Sequence, residues 1–121
     1  MDETVLIVDD DVSVREGLAE LVESLGLPVR VFASAQDFLA HIDEDAVGCL
    51  VLDVYMPGMT GLELQQELAR RGQSIPTVFI TAKRDATMRR HLIEQGAVEC
   101  LFKPFSDAAL QEALDLALRM N

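Results

Sequence analysis

Along this chain, short runs of Val, Ile, Leu and Phe alternate five times with amphipathic stretches of helical period. The apolar runs fall at 5–9, 29–33, 49–53, 77–81 and 98–102 and show little polar alternation. Parallel strands covered on both faces read this way, whereas half-exposed strands alternate. Between the first two runs, Val14, Leu18, Leu21, Val22 and Leu25 share one helical face, and Gly26 can end that helix. Ser34 with Asp37 resembles a capping box in which Asp replaces Glu, and Thr60 with Glu63 is a closer match opening a third helix. Gly72 and Gly96 follow the third and fourth helices, and Ser106 can cap a fifth. Five βα units predict a doubly wound α/β fold, because parallel strands need right-handed crossovers that place helices on both faces of the sheet. In such sheets ligands gather at the carboxyl ends of the strands.

Four of those ends carry polar residues where the apolar run stops. The first has Asp9, Asp10 and Asp11, the third Asp53, the fourth Thr81, and the fifth Lys103 followed by Pro104. Parallel strands bring these groups to one rim, where clustered carboxylates repel unless a cation is present or some hold protons. Hard carboxylate oxygens suit Mg²⁺, which keeps waters and substrate phosphate oxygens in its shell. A lysine supplies mobile positive charge and a threonine donates a hydrogen bond, completing a set able to handle phosphate. Phosphoryl transfer chiefly needs positioning and charge neutralisation, and a carboxylate such as Asp53 can serve as the nucleophile. Singly, each residue has a plainer reading: Asp11 a helix cap, Thr81 a β-branched strand residue, Lys103 a surface charge. Their joint spacing is what carries weight.

Composition narrows the rest. The 121 residues fit one domain spanning 1–121, and half of them are hydrophobic, enough for a continuous core. No apolar run approaches the ~20 residues needed to cross a bilayer, and the acidic start MDETVLIV does not read as a secretory signal. The expectation is a soluble, cytoplasmic protein with no membrane partner. With 21 acidic and 10 basic residues, the net charge of −11 disfavours direct contact with nucleic acid and suits a cation or a basic partner. Cys49 and Cys100 are too few for a disulfide framework or zinc cluster and read as reduced, buried hydrophobes. His41 and His91 lack the clustered ligands of a metal site and read as solvent-facing.

The whole chain resembles the receiver domains of two-component response regulators, from VLIVDDD through LVLDVYMPGMTGLEL and FITA to FKPF. PGMTGLEL and GAVECLFKPF are most similar to FixJ-like receivers. The resemblance implies a flavodoxin-like (βα)5 fold with strand order 2-1-3-4-5. It implies Asp53 as phosphoacceptor, with Mg²⁺ (Mn²⁺ or Ca²⁺ able to substitute) held by Asp10, Asp53 and the Tyr55 backbone carbonyl, and by Asp9 through water. It further implies Thr81 as the switch hydroxyl, Lys103 as partner of a phosphoryl oxygen, and a cis Lys103–Pro104 bond. The phosphodonor is then a sensor histidine kinase or a small acyl phosphate, and the reaction is self-modification with slow reset rather than enzymatic turnover. Tyr55 and Lys83 occupy positions that tune phosphoryl lifetime in this family. Cys100 departs from it, standing where a Tyr or Phe ring commonly swings inward. Phe102 lies on the same strand face. The implied strand order puts Cys49 and Cys100 roughly 9–10 Å apart, beyond disulfide reach.

The fourth and fifth helices carry more apolar and basic surface than sheet packing needs. Met88, Leu92 and Ile93 mix with Arg89, Arg90 and His91, after Lys83 and Arg84. The fifth helix has two apolar rows, Leu110/Leu114/Ala117 and Ala109/Ala113/Leu116/Met120. This is the expected output face, for a homodimer or an output domain of transcriptional type. Three readings compete: a D-x-D phosphatase with Asp9 as nucleophile and Asp11 as acid, an interaction module independent of phosphorylation, and a flavin-binding module of similar topology.

Overall fold

The computed structural model describes residues 3–42 and 48–120. Five parallel strands, β1 Thr4–Val8, β2 Val29–Phe32, β3 Gly48–Asp53, β4 Thr77–Thr81 and β5 Glu99–Phe102, form one sheet in the order β2-β1-β3-β4-β5. They alternate with α1 Val12–Ser24, α2 Ala35–His41, α3 Gly61–Arg70, α4 Ala86–Glu94 and α5 Asp107–Arg119. The expected flavodoxin-like (βα)5 architecture is the one observed. Strands 1, 2, 3 and 5 are each one residue off the apolar runs, β4 matches its run, and β1 ends at Val8 rather than Asp9. Asp9 stays anchored to the sheet through its amide, which donates to the Phe32 carbonyl at 3.2 Å.

The central strands are apolar on both sides because each side has its own core. One holds Leu6, Val8, Leu50, Leu52 and Phe79 against Phe38 of α2, Leu64 and Leu68 of α3 and Leu92 of α4. The other holds Val5, Ile7, Val51, Val78 and Ile80 against Leu18 and Val22 of α1 and Leu110, Leu114 and Ala117 of α5. Cys100 belongs to the first core and Cys49 to the second, so the thiols lie on opposite faces of the sheet as well as two strands apart. Both are free, and burial pushes Cys49 up to about 12 and Cys100 to about 11.

The helix starts follow local chemistry. Thr60 and Glu63 form a reciprocal capping box, each side chain bonding the other's backbone amide. At α2 Ser34 Oγ accepts from Asp37 N at 3.0 Å, but the Asp37 carboxylate lies 3.1 Å from His41 Nδ1, one turn on. Aspartate is one methylene shorter than glutamate, so the box expected there closes on one side only. Asp11, Asp85 and Ser106 cap α1, α4 and α5.

Gly61 is fixed by proximity. Its amide donates to the Val54 carbonyl at 2.9 Å, pressing α3 onto the end of β3. A Cβ there would lie 2.4 Å from the Asp53 carbonyl oxygen and 3.1 Å from the Phe79 ring. Backbone on one side and packed core on the other leave no room to yield. Gly61→Ala is therefore expected to lower stability by about 2–3 kcal/mol, as overpacking does, read as a reduced urea midpoint at unchanged m-value.

Candidate functional site

At the carboxyl edge of the sheet, the loop after β1 and the ends of β3 and β4 meet the residue that follows β5. Asp9, Asp10 and Asp53 each place a carboxylate oxygen within 4.8 Å of the others. Asp9 is fully buried, Asp53 is 6% exposed, and Asp10 is open to solvent. Lys103 reaches in from the end of β5, its Nζ 3.0 Å from Asp9 Oδ2 and 3.9 Å from Asp53 Oδ1. The Lys103–Pro104 bond is cis. Thr81 closes β4, buried, and its Oγ1 accepts from the Lys83 amide at 3.1 Å. Of the six strand-end residues singled out in the sequence, Asp9, Asp10, Asp53, Thr81 and Lys103 thus lie on one rim.

Every polar atom of Asp9 is occupied. Its amide bonds Phe32, Oδ1 accepts from Asp11 N at 2.9 Å, Oδ2 takes Lys103, and its carbonyl accepts from Arg15 Nη1 at 2.8 Å. Asp11 faces the other way, its Oδ1 accepting from Ser13 N and Val14 N at the start of α1. A D-x-D phosphatase needs a free Asp9 nucleophile and an inward Asp11 acid, and neither is present. Asp53 is the buried carboxylate that Lys103 approaches only to 3.9 Å, beyond hydrogen-bond distance.

Electrostatics agree with a site short of positive charge. Burial pushes the Asp53 carboxyl up to about 7 from 3.8, the Asp9 charge adds to this, and Lys103 with the Tyr55 amide pulls back. Hard oxygens at this spacing, on a rim open at Asp10, fit a divalent cation of the Mg²⁺ kind.

The flanking loops meet over this rim. Lys83 Nζ lies 5.4 Å from the centroid of the Tyr55 ring, which is 40% exposed. Tyr55 and Lys83 were singled out separately in the sequence; their contact was not foreseeable from spacing. Cys100 carries no ring and sits in the core, with Arg89 Nε donating to its carbonyl at 3.1 Å and Arg89 paired with Glu99. Phe102, on the same face, carries the Arg84 guanidinium 5.7 Å from its ring centroid. His41 and His91 are solvent-exposed, as expected. Arg15 was missed, and Arg89 was read only as one of the basic residues of the fourth helix, without its contacts to β5. The one signal for Arg15 was a basic residue near the start of a helix, where the dipole favours acids.

Comparison with known proteins places this geometry. The model of the response regulator receiver domain matches residues 5–115. Response regulator protein TmoT of Ectopseudomonas mendocina is 44% identical over 96% of this chain and 53% of its own length. Transcriptional regulatory protein FixJ of Rhizobium meliloti is 39% identical over 96% of this chain and 57% of its own. The chain spans about half the length of the curated relatives it matches. Among solved structures, response regulator StyR superposes with a TM-score of 0.93 at 47% identity, covering all of this chain and 61% of that one. FixJ-N gives 0.91 at 37% identity, covering all of this chain and 97% of that one. The chain belongs to the response regulator receiver domain family.

Proposed function

We propose that residues 1–121 act as a single receiver domain, the phosphoacceptor switch of a two-component system, with Asp53 as the acceptor. The observation that carries this reading is the division of labour on the rim. Each Asp9 carboxylate oxygen already takes a hydrogen bond, whereas Asp53 is held 3.9 Å from Lys103 and kept high in pKa chiefly by burial. An Asp53 carboxylate oxygen attacks phosphorus on a phosphohistidine of a sensor kinase, or on a small acyl phosphate. The new P–O bond forms as the bond to the donor breaks, and the donor leaves with its electron pair. Lys103 pairs with a phosphoryl oxygen, and Thr81 donates its hydroxyl hydrogen to another while still accepting from Lys83 N. Asp10, Asp53 and the Tyr55 carbonyl would hold Mg²⁺, with Asp9 behind them through water; when bound, the ion neutralises charge building up between carboxylates and phosphoryl oxygens. Incubation with Mg²⁺ and a small acyl phosphate tests this: a gain of one phosphoryl group, lost on chelation, is expected.

Output runs through α4, β5 and α5. In α5 the first apolar row is buried, but the second leaves Leu116 49% and Met120 64% exposed, and Ile93 of α4 adds 37%. Exposed apolar side chains of this size favour a partner surface, a second copy or an output domain. With no ring at position 100, the coupling from Thr81 to this face passes through the loop that Thr81 tethers at Lys83 and through Arg89 of α4, which donates to the Cys100 carbonyl of β5. A phosphate mimic with Mg²⁺ is expected to shift the chain from monomer toward dimer in sedimentation, and Leu116→Asp to prevent it. A monomer under both conditions at high concentration would remove dimerisation from the account.

A further inference from the structure

Arg15 stands where helix chemistry disfavours it. Its backbone amide donates to Asp11 O at 3.0 Å, one of the first bonds of α1, so its charge sits near the positive end of the helix dipole. No acidic residue offsets it in the first turn of α1. What the guanidinium does instead is donate from Nη1 to the Asp9 main-chain carbonyl at 2.8 Å. That carbonyl belongs to the peptide joining Asp9 to Asp10. One bond away, the Asp9 carboxylate holds the Asp11 amide at 2.9 Å. The two bonds fix the loop on either side of Asp10, whose own carboxylate is exposed and free to follow its backbone.

We propose that Arg15 is a positioning residue for the cation site: by holding the Asp9–Asp10 peptide it aims the Asp10 carboxylate at the ion. The inference rests on the reading that Asp9, Asp10 and Asp53 bind a divalent cation. Outer partners that orient metal ligands typically contribute ten- to a hundredfold in affinity. The two roles open to an arginine here have opposite signs. Acting through charge alone, it repels the ion, and its removal tightens binding; acting through position, its removal weakens binding.

The protein has one tyrosine, Tyr55, beside the site and no tryptophan, so tyrosine emission follows MgCl₂ titration directly. Arg15→Ala is expected to weaken Mg²⁺ binding about tenfold. In an Asp10→Asn background the same replacement is expected to cost under about twofold, because the ligand it aims is gone. Equal or tighter binding by Arg15→Ala overturns the proposal, and so does an undiminished loss in the Asp10→Asn background. Arg15→Met, which keeps the aliphatic bulk without donor or charge, gives the same sign test should the alanine variant not fold. A wild-type protein that does not respond to Mg²⁺ refutes the cation site itself, a different failure from a wild type that binds and an Arg15 variant that binds equally well.

Discussion

Lys103→Ala is expected to lower stability by about 3 kcal/mol at pH 8 without divalent cations, the largest loss among single changes on the rim. Asp9 is fully buried and has Lys103 Nζ at 3.0 Å as its charged partner. Removing one member of a buried pair leaves the other charge uncompensated, which costs about 3–5 kcal/mol. The lower end applies because the Lys103 side chain is 19% exposed and its charge is partly screened. The loss depends on pH with a definite sign. Without Lys103 nothing of that charge offsets the burial that holds the Asp53 carboxyl above its ordinary value, so the variant loses stability as pH rises from about 4 through neutrality. The gap to wild type is widest above pH 7 and narrows in acid. Urea unfolding at pH 5 and pH 8 with a chelator present checks both size and sign.

Asp53→Asn is expected to do the opposite. The folded Asp53 carboxyl keeps its proton up to about 7, against 3.8 for its ordinary value, chiefly because burial disfavours its charge. Between those values the folded state binds more protons than the unfolded, so wild-type stability falls as pH rises through that window and stays low above it. At roughly 1.4 kcal/mol per pH unit, the penalty reaches about 2–4 kcal/mol at pH 8. The asparagine variant lacks that slope, is more stable than wild type above pH 7, and converges with it near pH 4. Added Mg²⁺ is expected to close the gap by stabilising wild type alone. Thermal unfolding across pH 4–8, with and without Mg²⁺, reads all of this. A wild type as stable as Asp53→Asn at pH 8 without cation would mean the rim carries no charge frustration. The two variants push stability in opposite directions although both alter charge at one rim, because Lys103 neutralises and Asp53 crowds.

Much of this was legible in the sequence because backbone periodicity governs it. Apolar runs without alternation gave five parallel strands, β1, β3 and β4 buried and the edge strands β2 and β5 only partly so, and the polar residues ending them had to emerge on one edge, whatever their rotamers. Strand order is different in kind: periodicity does not determine it, and resemblance to a known family supplied it. The end of β1 slipped by a residue because Asp9 is bonded to the sheet through its amide without extending the ladder as a strand residue. Contacts made by long side chains were not legible. Arg15 reaching back to Asp9, Arg89 crossing from α4 to β5, and Lys83 lying over Tyr55 depend on several torsions each, and spacing does not fix them. The Glu67–Arg71 pair, at i,i+4 on α3, was within reach of a spacing rule. The α5 rows were visible as apolar, but only the packed fold shows Leu114 buried and Leu116 exposed.

The most direct test of the central claim is to locate the phosphoryl group. After reaction with a small acyl phosphate and Mg²⁺, borohydride reduces an aspartyl phosphate to homoserine, and peptide mass mapping finds the altered position. The account predicts homoserine at residue 53 alone, with none in Asp53→Asn or after chelation. Modification at Asp9, or steady turnover of phosphate esters without any aspartate altered, would contradict it.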